Sequence, residues 1–178
     1  MKLLLLFVFI SMQTVAQYKT LHDFSARTID GEVLDFSELK GKKVLIVNTA
    51  SKCSLAGQIR KLQELYAEYG GEDFEVIAFP SNDFGNREPG NTEEILERYT
   101  RKYEFSFPLM EKISVKGEDA HPVFQWLADS EKNGTLDASV LWNFQKFMID
   151  EEGRVVESIS PLGSPTKNRV TEWLQEDL

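Results

Sequence analysis

Cysteine and histidine are nearly missing from this chain: one Cys (Cys53) and two His (His22 and His121) in 178 residues. A lone thiol forms no intramolecular disulfide, and one Cys with two His falls short of a structural zinc set. Stability therefore has to come from a packed core, and the chemistry is expected to need no metal. Positive charge is scarce too, with 20 Lys and Arg against 29 Asp and Glu and a net charge of −9. Without a basic cluster, nucleic acid and anionic membrane surfaces are poor partners. Repeats, low-complexity tracts and Pro-, Gly- or Ser-rich linkers are also lacking, which favours a single domain.

One stretch is strongly apolar. "MKLLLLFVFISMQTVAQ" joins one lysine to a short apolar run and then Thr14-Val15-Ala16, with small residues ahead of a cut. That is the layout of a secretory signal peptide, and the run is short for a membrane span. Residues 1–16 are expected to be a cleaved leader. Residues 17–178 are expected to be one exported domain, periplasmic or extracellular, without an integral membrane span.

The remaining patterns predict alternating strands and helices. "FSARTIDGEVLDFSEL" has two short strand signals around the Asp30-Gly31 turn, a hairpin. "KKVLIVNTA" is a continuous apolar run, as a strand buried on both faces requires. Ile59, Leu62, Leu65 and Tyr66 fall at helical spacing from a start near Ala56, and Gly70-Gly71 ends that helix. "FEVIAFP" predicts a second buried strand, parallel to the first. "NTEEILERYTRKY" predicts a charged helix capped by Asn91 or Thr92. A short helix at "HPVFQWLADS", strands at "FQKFMID" and "RVVESIS", and a helix at "TKNRVTEWLQEDL" complete a three-layer α/β domain with a central mixed sheet. The order suits a thioredoxin-like sheet and other small α/β folds as well.

Cys53 falls in the loop between the first buried strand and the first helix. A thiol is a nucleophile as thiolate, and a helix N-terminus favours that charge. The strand's C-terminal edge is also where α/β sheets place ligands. The polar neighbours Ser51, Lys52 and Ser54 fit a reactive thiol, while a buried structural thiol is the competing reading. Two further segments carry donors. "FPSNDFGNREPGN" follows the next strand and holds Asn82, Asp83, Arg87 and Glu88, or else is a solvated loop. "LWNFQKF" sets Trp142 and Asn143 before a strand: two neutral N–H donors, or a packed indole and a turn.

Taken together, "VNTASKCSLAGQ", "FPSNDFGNREPG", "FSFPLMEKISVKGEDAHPVFQWL" and "LWNFQKFMIDEEGRVV" resemble the glutathione peroxidase family in order and separation. The resemblance runs from about Phe24 to about Glu172. It implies a thioredoxin fold and the reduction of hydrogen peroxide and organic or lipid hydroperoxides with thiol electrons, in the response to oxidative stress. It makes Cys53 the peroxidatic cysteine, with Trp142 and Asn143 donating hydrogen bonds to the sulfur. The family's fourth member is a glutamine just before Glu-Pro-Gly, where this chain has Arg87. A guanidinium would also steady a thiolate. It could instead pair with Glu88 or Asp83, or turn to solvent.

Ser81 and Asp83 replace the family's cysteine and glutamine around Asn82, and Ser54 stands where glycine is usual. The helix with Tyr99 and Thr100 lacks the resolving cysteine that many members carry. The resemblance then implies no bound cofactor, with an external thiol, glutathione or a thioredoxin-like protein, as the co-substrate that reduces the sulfenic acid. Lys52, Arg60 and Lys146 are basic residues available to hold glutathione. Two other readings compete. One is a cysteine hydrolase with His121 as base, for which no orienting group is recognisable. The other is a non-catalytic thioredoxin-fold redox sensor or thiol-binding protein.

Overall fold

The computed structural model describes residues 18–176, and the leader-like stretch at 1–16 lies outside them. The hairpin forms where its turn signal stands. β1 (Ser25–Arg27) pairs antiparallel with β2 (Val33–Asp35), Ala26 opposite Leu34. Gly31 takes φ +92° in the turn, a conformation open to glycine at little cost.

The main sheet has four strands in the order β4-β3-β5-β6. β3 (Lys43–Thr49) and β4 (Phe74–Pro80) are parallel, while β5 (Lys146–Ile149) runs antiparallel to both β3 and β6 (Val155–Ile159). Every residue of β3 is buried, because both faces of the sheet are covered. Alternation divides the core. Leu45 and Val47 join Val76, Ala78 and Met148 on one face, and Val44 and Ile46 join Ile77, Phe79, Phe147 and Ile149 on the other.

The first face is covered by α1 (Gln58–Tyr69), α2 (Thr92–Tyr103) and α5 (Asn168–Gln175), through Ile59, Leu62, Ile95, Tyr99 and Trp173. The second is covered by α3 (Pro122–Leu127) together with Leu21 and Phe36. A short α4 (Ser130–Asn133) follows α3. This is the thioredoxin-like, three-layer mixed-sheet arrangement that the pattern anticipated.

The helices start and stop for local reasons. Asn91 Oδ1 accepts the Glu94 N–H at 2.9 Å, and the Glu94 carboxylate accepts the Asn91 N–H at 3.2 Å, a reciprocal cap for α2. α1 begins at Gln58 rather than near Ala56. The residues after Cys53 first make tight turns, Ala56 N–H to Cys53 O at 3.0 Å and Gln58 N–H to Leu55 O at 2.9 Å. At the far end of the sheet, Lys43 Nζ donates to the carbonyls of Trp173 (2.8 Å) and Glu176 (2.6 Å), capping the C-terminus of α5.

Candidate active site

Because β3 and β4 run parallel, their C-terminal ends lie side by side, with Thr49 in register with Pro80. β5 is antiparallel and starts at that same end, Lys146 opposite Val47. The topology thus brings three segments to one edge: the Cys53 loop, residues 81–88 and residues 142–144. In open α/β sheets this edge is the ligand-binding one.

Cys53 is 8 % exposed and packs in the core cluster that includes Ala56 and Phe144. Its polar neighbours Lys52 and Ser54 face solvent while the thiol turns inward. The Leu55 N–H points at the sulfur from 3.4 Å, a donor of the kind that steadies a thiolate.

The loop is bolted to the second segment. Lys52 N–H donates to the Arg87 carbonyl at 3.0 Å. Glu88, fully buried, accepts the Ser51 N–H and the Ser51 hydroxyl at 2.6 Å each and pairs with Arg98 Nη2 at 3.0 Å. The Tyr99 hydroxyl sits 3.2 Å from the same carboxylate and 2.7 Å from Thr49 Oγ1. Burial and the Glu88 charge push the Tyr99 phenol well above its ordinary range, so it stays protonated. Arg98 also donates to Ser51 Oγ and to the Pro89 carbonyl. Removing one partner of such a buried pair costs about 3–5 kcal/mol. Asp83 serves a separate purpose, accepting from Ser114 Oγ (2.9 Å) and Val115 N–H (2.7 Å) to pin the segment after β4.

Arg87 is exposed, and among the described residues it pairs with neither Glu88 nor Asp83. Both it and Trp142 approach Gly85. A Cβ on Gly85 would stand 3.5 Å from both Arg87 Nε and Trp142 Cη2, and the φ of +65° there also favours glycine. Trp142 is 41 % exposed and packs on Phe84 at 5.5 Å between ring centres. Its indole N–H has no protein acceptor among the described residues.

Asn143 is fully buried. Its amide donates to the Phe84 carbonyl at 3.3 Å, not to the sulfur, and its Oδ1 is without a partner among the described residues. Phe144 follows with φ +71°, a left-handed turn that costs a bulky residue about 1–2 kcal/mol. Asn48 holds this turn twice: its side-chain amide donates to the Trp142 carbonyl (3.1 Å) and its carbonyl accepts the Phe144 N–H (2.7 Å).

Lys52 lines a groove of about 650 Å³ together with Glu94, Glu97, Arg98, Arg101 and Lys102. Arg60 stays exposed, donating to the Lys102 carbonyl and stacking over Tyr103. Lys146 does not serve as a free basic residue. It is fully buried with its ammonium on backbone carbonyls, because β5 starts beneath the 160–163 loop and points it inward. His121 accepts the Val123 N–H as the cap of α3 and packs near Phe79, on the face opposite the Cys53 cluster. Burial lowers its pKa, and it lacks the contacts a hydrolase base would need.

Sequence reasoning passed over Asn48 and Arg98, and it offered Glu88 as a partner for Arg87 rather than for Ser51 and Arg98. Asn48 left a signal as the carboxamide inside the apolar "KVLIVNT". Nothing local marks Glu88 as buried, since its partners lie on two other segments.

Among the described residues no group of three or more His, Cys, Asp or Glu side chains is placed to hold a metal ion, and no helix is long and apolar enough to cross a membrane. The family model described as "Glutathione peroxidase" matches residues 21–128. A "Glutathione peroxidase homolog BsaA" of Halalkalibacterium halodurans is 47 % identical over 148 residues, covering 83 % of this chain and 94 % of that protein. The "Glutathione peroxidase" of Lactococcus lactis is 41 % identical over 144 residues, covering 81 % of this chain and 91 % of that protein. The crystal structure of T. cruzi GPX1 superposes with a TM-score of 0.66 at 31 % identity, covering 89 % of this chain and 94 % of that one. A thioredoxin-family thiol:disulfide interchange protein of Chlorobium tepidum shares the fold, with a TM-score of 0.62 at 18 % identity, 90 % of this chain and 99 % of that one being covered. By the match of family model, relatives and fold, this chain belongs to the glutathione peroxidase family, the thiol-dependent peroxidases.

Proposed function

We propose that Cys53 is the peroxidatic residue of a one-cysteine peroxidase that reduces hydrogen peroxide and organic or lipid hydroperoxides with electrons from an external thiol. The observation that carries this reading is the knitting of the Cys53 loop to Arg87 and Glu88 at the edge where Trp142 and Asn143 also stand.

In the proposed cycle the Cys53 thiolate attacks the distal peroxide oxygen. The O–O bond breaks, an S–O bond forms, and the alkoxide or hydroxide leaves as alcohol or water after taking a proton from solvent. The sulfur is oxidised by two electrons as the peroxide is reduced. The Leu55 N–H, the free Trp142 indole N–H and the Arg87 guanidinium are donors suited to the negative charge that moves through this step. Asn143, committed to Phe84, is better suited to fixing Trp142 than to touching the sulfur.

A first external thiol condenses with the sulfenic acid, releasing water. A second displaces Cys53 and leaves as disulfide. No bound cofactor enters, since the thiol is itself a co-substrate. The groove beside Lys52 mixes Arg98, Arg101 and Lys102 with Glu94 and Glu97, which suits a zwitterionic peptide thiol such as glutathione. A thioredoxin-like protein is the other reductant in this reading. The leader-like residues 1–16 support export to the periplasm or beyond, with 17–178 as the working domain.

The test offers glutathione, thioredoxin and a simple monothiol in turn to the reduced chain with hydrogen peroxide. Turnover with one donor, lost in Cys53→Ser, is the expected result. Oxidation of Cys53 that no thiol reverses would favour the redox-sensor reading. Turnover that survives Cys53→Ser would contradict the proposal.

A further inference from the structure

The strained turn at Phe144 has a third tie that the sequence concealed. Lys146 Nζ donates to the Phe144 carbonyl at 2.7 Å, complementing the two bonds from Asn48. The same ammonium donates to the Gly163 carbonyl at 2.6 Å, with the Ser160 and Pro161 carbonyls at 3.5 and 3.4 Å. Gln58, the first residue of α1, binds the Pro161 carbonyl from the other side at 2.8 Å. One buried cation thus joins the 142–144 turn to the 160–163 loop. That loop carries Leu162, which with Ser54, Leu55 and Lys61 lines a groove of about 310 Å³ next to Cys53 in the chain.

Lys146 is an expensive choice for packing alone. It is fully buried, and no carboxylate pairs with it among the described residues. An uncompensated ammonium in that setting is disfavoured by desolvation, and a methionine would fill the same space without that cost. Burial, and after it the facing Lys61 charge on α1, lower its pKa to about 7. Costly polar groups and left-handed backbone held in place together tend to mark working sites.

We infer that Lys146 is a positioning residue for the peroxidase site: its ammonium holds the left-handed Phe144 turn that aims Trp142 and Asn143, and clamps the 160–163 loop to the same point. This rests on the peroxidatic reading of Cys53.

The test compares Lys146→Met and Lys146→Gln with the wild-type full chain. Two rates are read on each reduced protein: Cys53 oxidation by hydrogen peroxide and Cys53 alkylation by iodoacetamide. Both reactions need the thiolate, and peroxide cleavage alone needs the aimed donors. In folded Lys146→Met, oxidation is expected to fall about ten- to a hundred-fold while alkylation changes little. Lys146→Gln, which keeps N–H donors, is expected to recover part of the loss. A folded Lys146→Met that oxidises at the wild-type rate overturns the proposal, as does an equal loss in both reactions.

Should neither variant fold, a third decides the question. There the further variant Lys146→Arg, whose larger guanidinium does not keep the Phe144 and Gly163 carbonyls at their present spacing, is expected to lower the oxidation-to-alkylation ratio, and an unchanged ratio overturns the inference. A wild-type Cys53 no faster with peroxide than free cysteine removes the peroxidatic reading, and this inference with it. A fast wild type beside an unaffected variant removes the inference alone.

Discussion

The two ends of the central sheet solve the same problem differently. Each begins a strand with a buried lysine whose ammonium sits on backbone carbonyls: Lys43 at the start of β3 and Lys146 at the start of β5. At the Lys43 end the cation caps the carbonyls of α5 and has Glu151 3.7 Å away, so charge and hydrogen bonds are balanced. At the Lys146 end no carboxylate among the described residues compensates, and the backbone it holds is left-handed at Phe144. Of the five buried side-chain atoms without a partner among the described residues, the four on Asn48, Gln58, Asn143 and Gln145 lie at this second end. One end is optimised for stability. The other tolerates unpaired acceptors and strained turns around a thiol, as an end kept for chemistry would.

That contrast can be broken or sharpened by substitution. The largest effect belongs to Cys53→Ser, expected to lower peroxide turnover at least about 10³-fold in a steady-state assay while leaving the fold intact. Next comes Glu88→Ala, which strands Arg98 and the Ser51 N–H. It is expected to destabilise by about 3–5 kcal/mol in urea unfolding and to slow Cys53 oxidation as its loop loosens.

Lys146 supplies a pH signature. Its folded pKa of about 7 lies below the ordinary 10.5, so between these values the unfolded chain binds more protons than the folded one. Stability contributed by this group therefore rises with pH across that window, being least below pH 7, where both states are charged. Unfolding free energies from pH 7 to 10 are expected to climb more steeply in wild type than in Lys146→Met.

Lys43→Met, at the other end, is expected to cost about 2–3 kcal/mol in the same unfolding measurement and to leave the Cys53 oxidation rate at the wild-type value. Arg87→Gln is the mildest. With an exposed guanidinium near Gly85, which Trp142 also approaches, the change is expected to slow peroxide oxidation less than about ten-fold, and by less still at high salt.

Much of the fold was legible from local pattern. The buried run of β3, the Asp30-Gly31 hairpin, the Asn91 cap and the His121-Pro122 helix start all follow from nearest-neighbour chemistry, and each forms where the pattern placed it. The site was legible in its parts, since the order of strands fixes which loops share an edge. Its wiring was not. Glu88 looks like one more acidic loop residue until Ser51, Arg98 and Tyr99 fold onto it. Lys146 looks like a surface cation until the antiparallel register of β5 turns it under the 160–163 loop. Both depend on contacts between segments far apart in the chain, which periodicity and propensity do not encode. The polar setting of Cys53 left its burial open: Lys52 and Ser54 are exposed, while Ser51 and the thiol pack inward.

The central claim is that Cys53 reacts with peroxide as a site-activated thiol. Stopped-flow tryptophan fluorescence of the fully reduced chain, mixed with hydrogen peroxide at neutral pH, measures that step alone, with the three tryptophans as reporters. The account predicts a second-order rate constant at least about a hundred-fold above that of free cysteine at the same pH, and no fast phase in Cys53→Ser. A rate equal to that of free cysteine would contradict it.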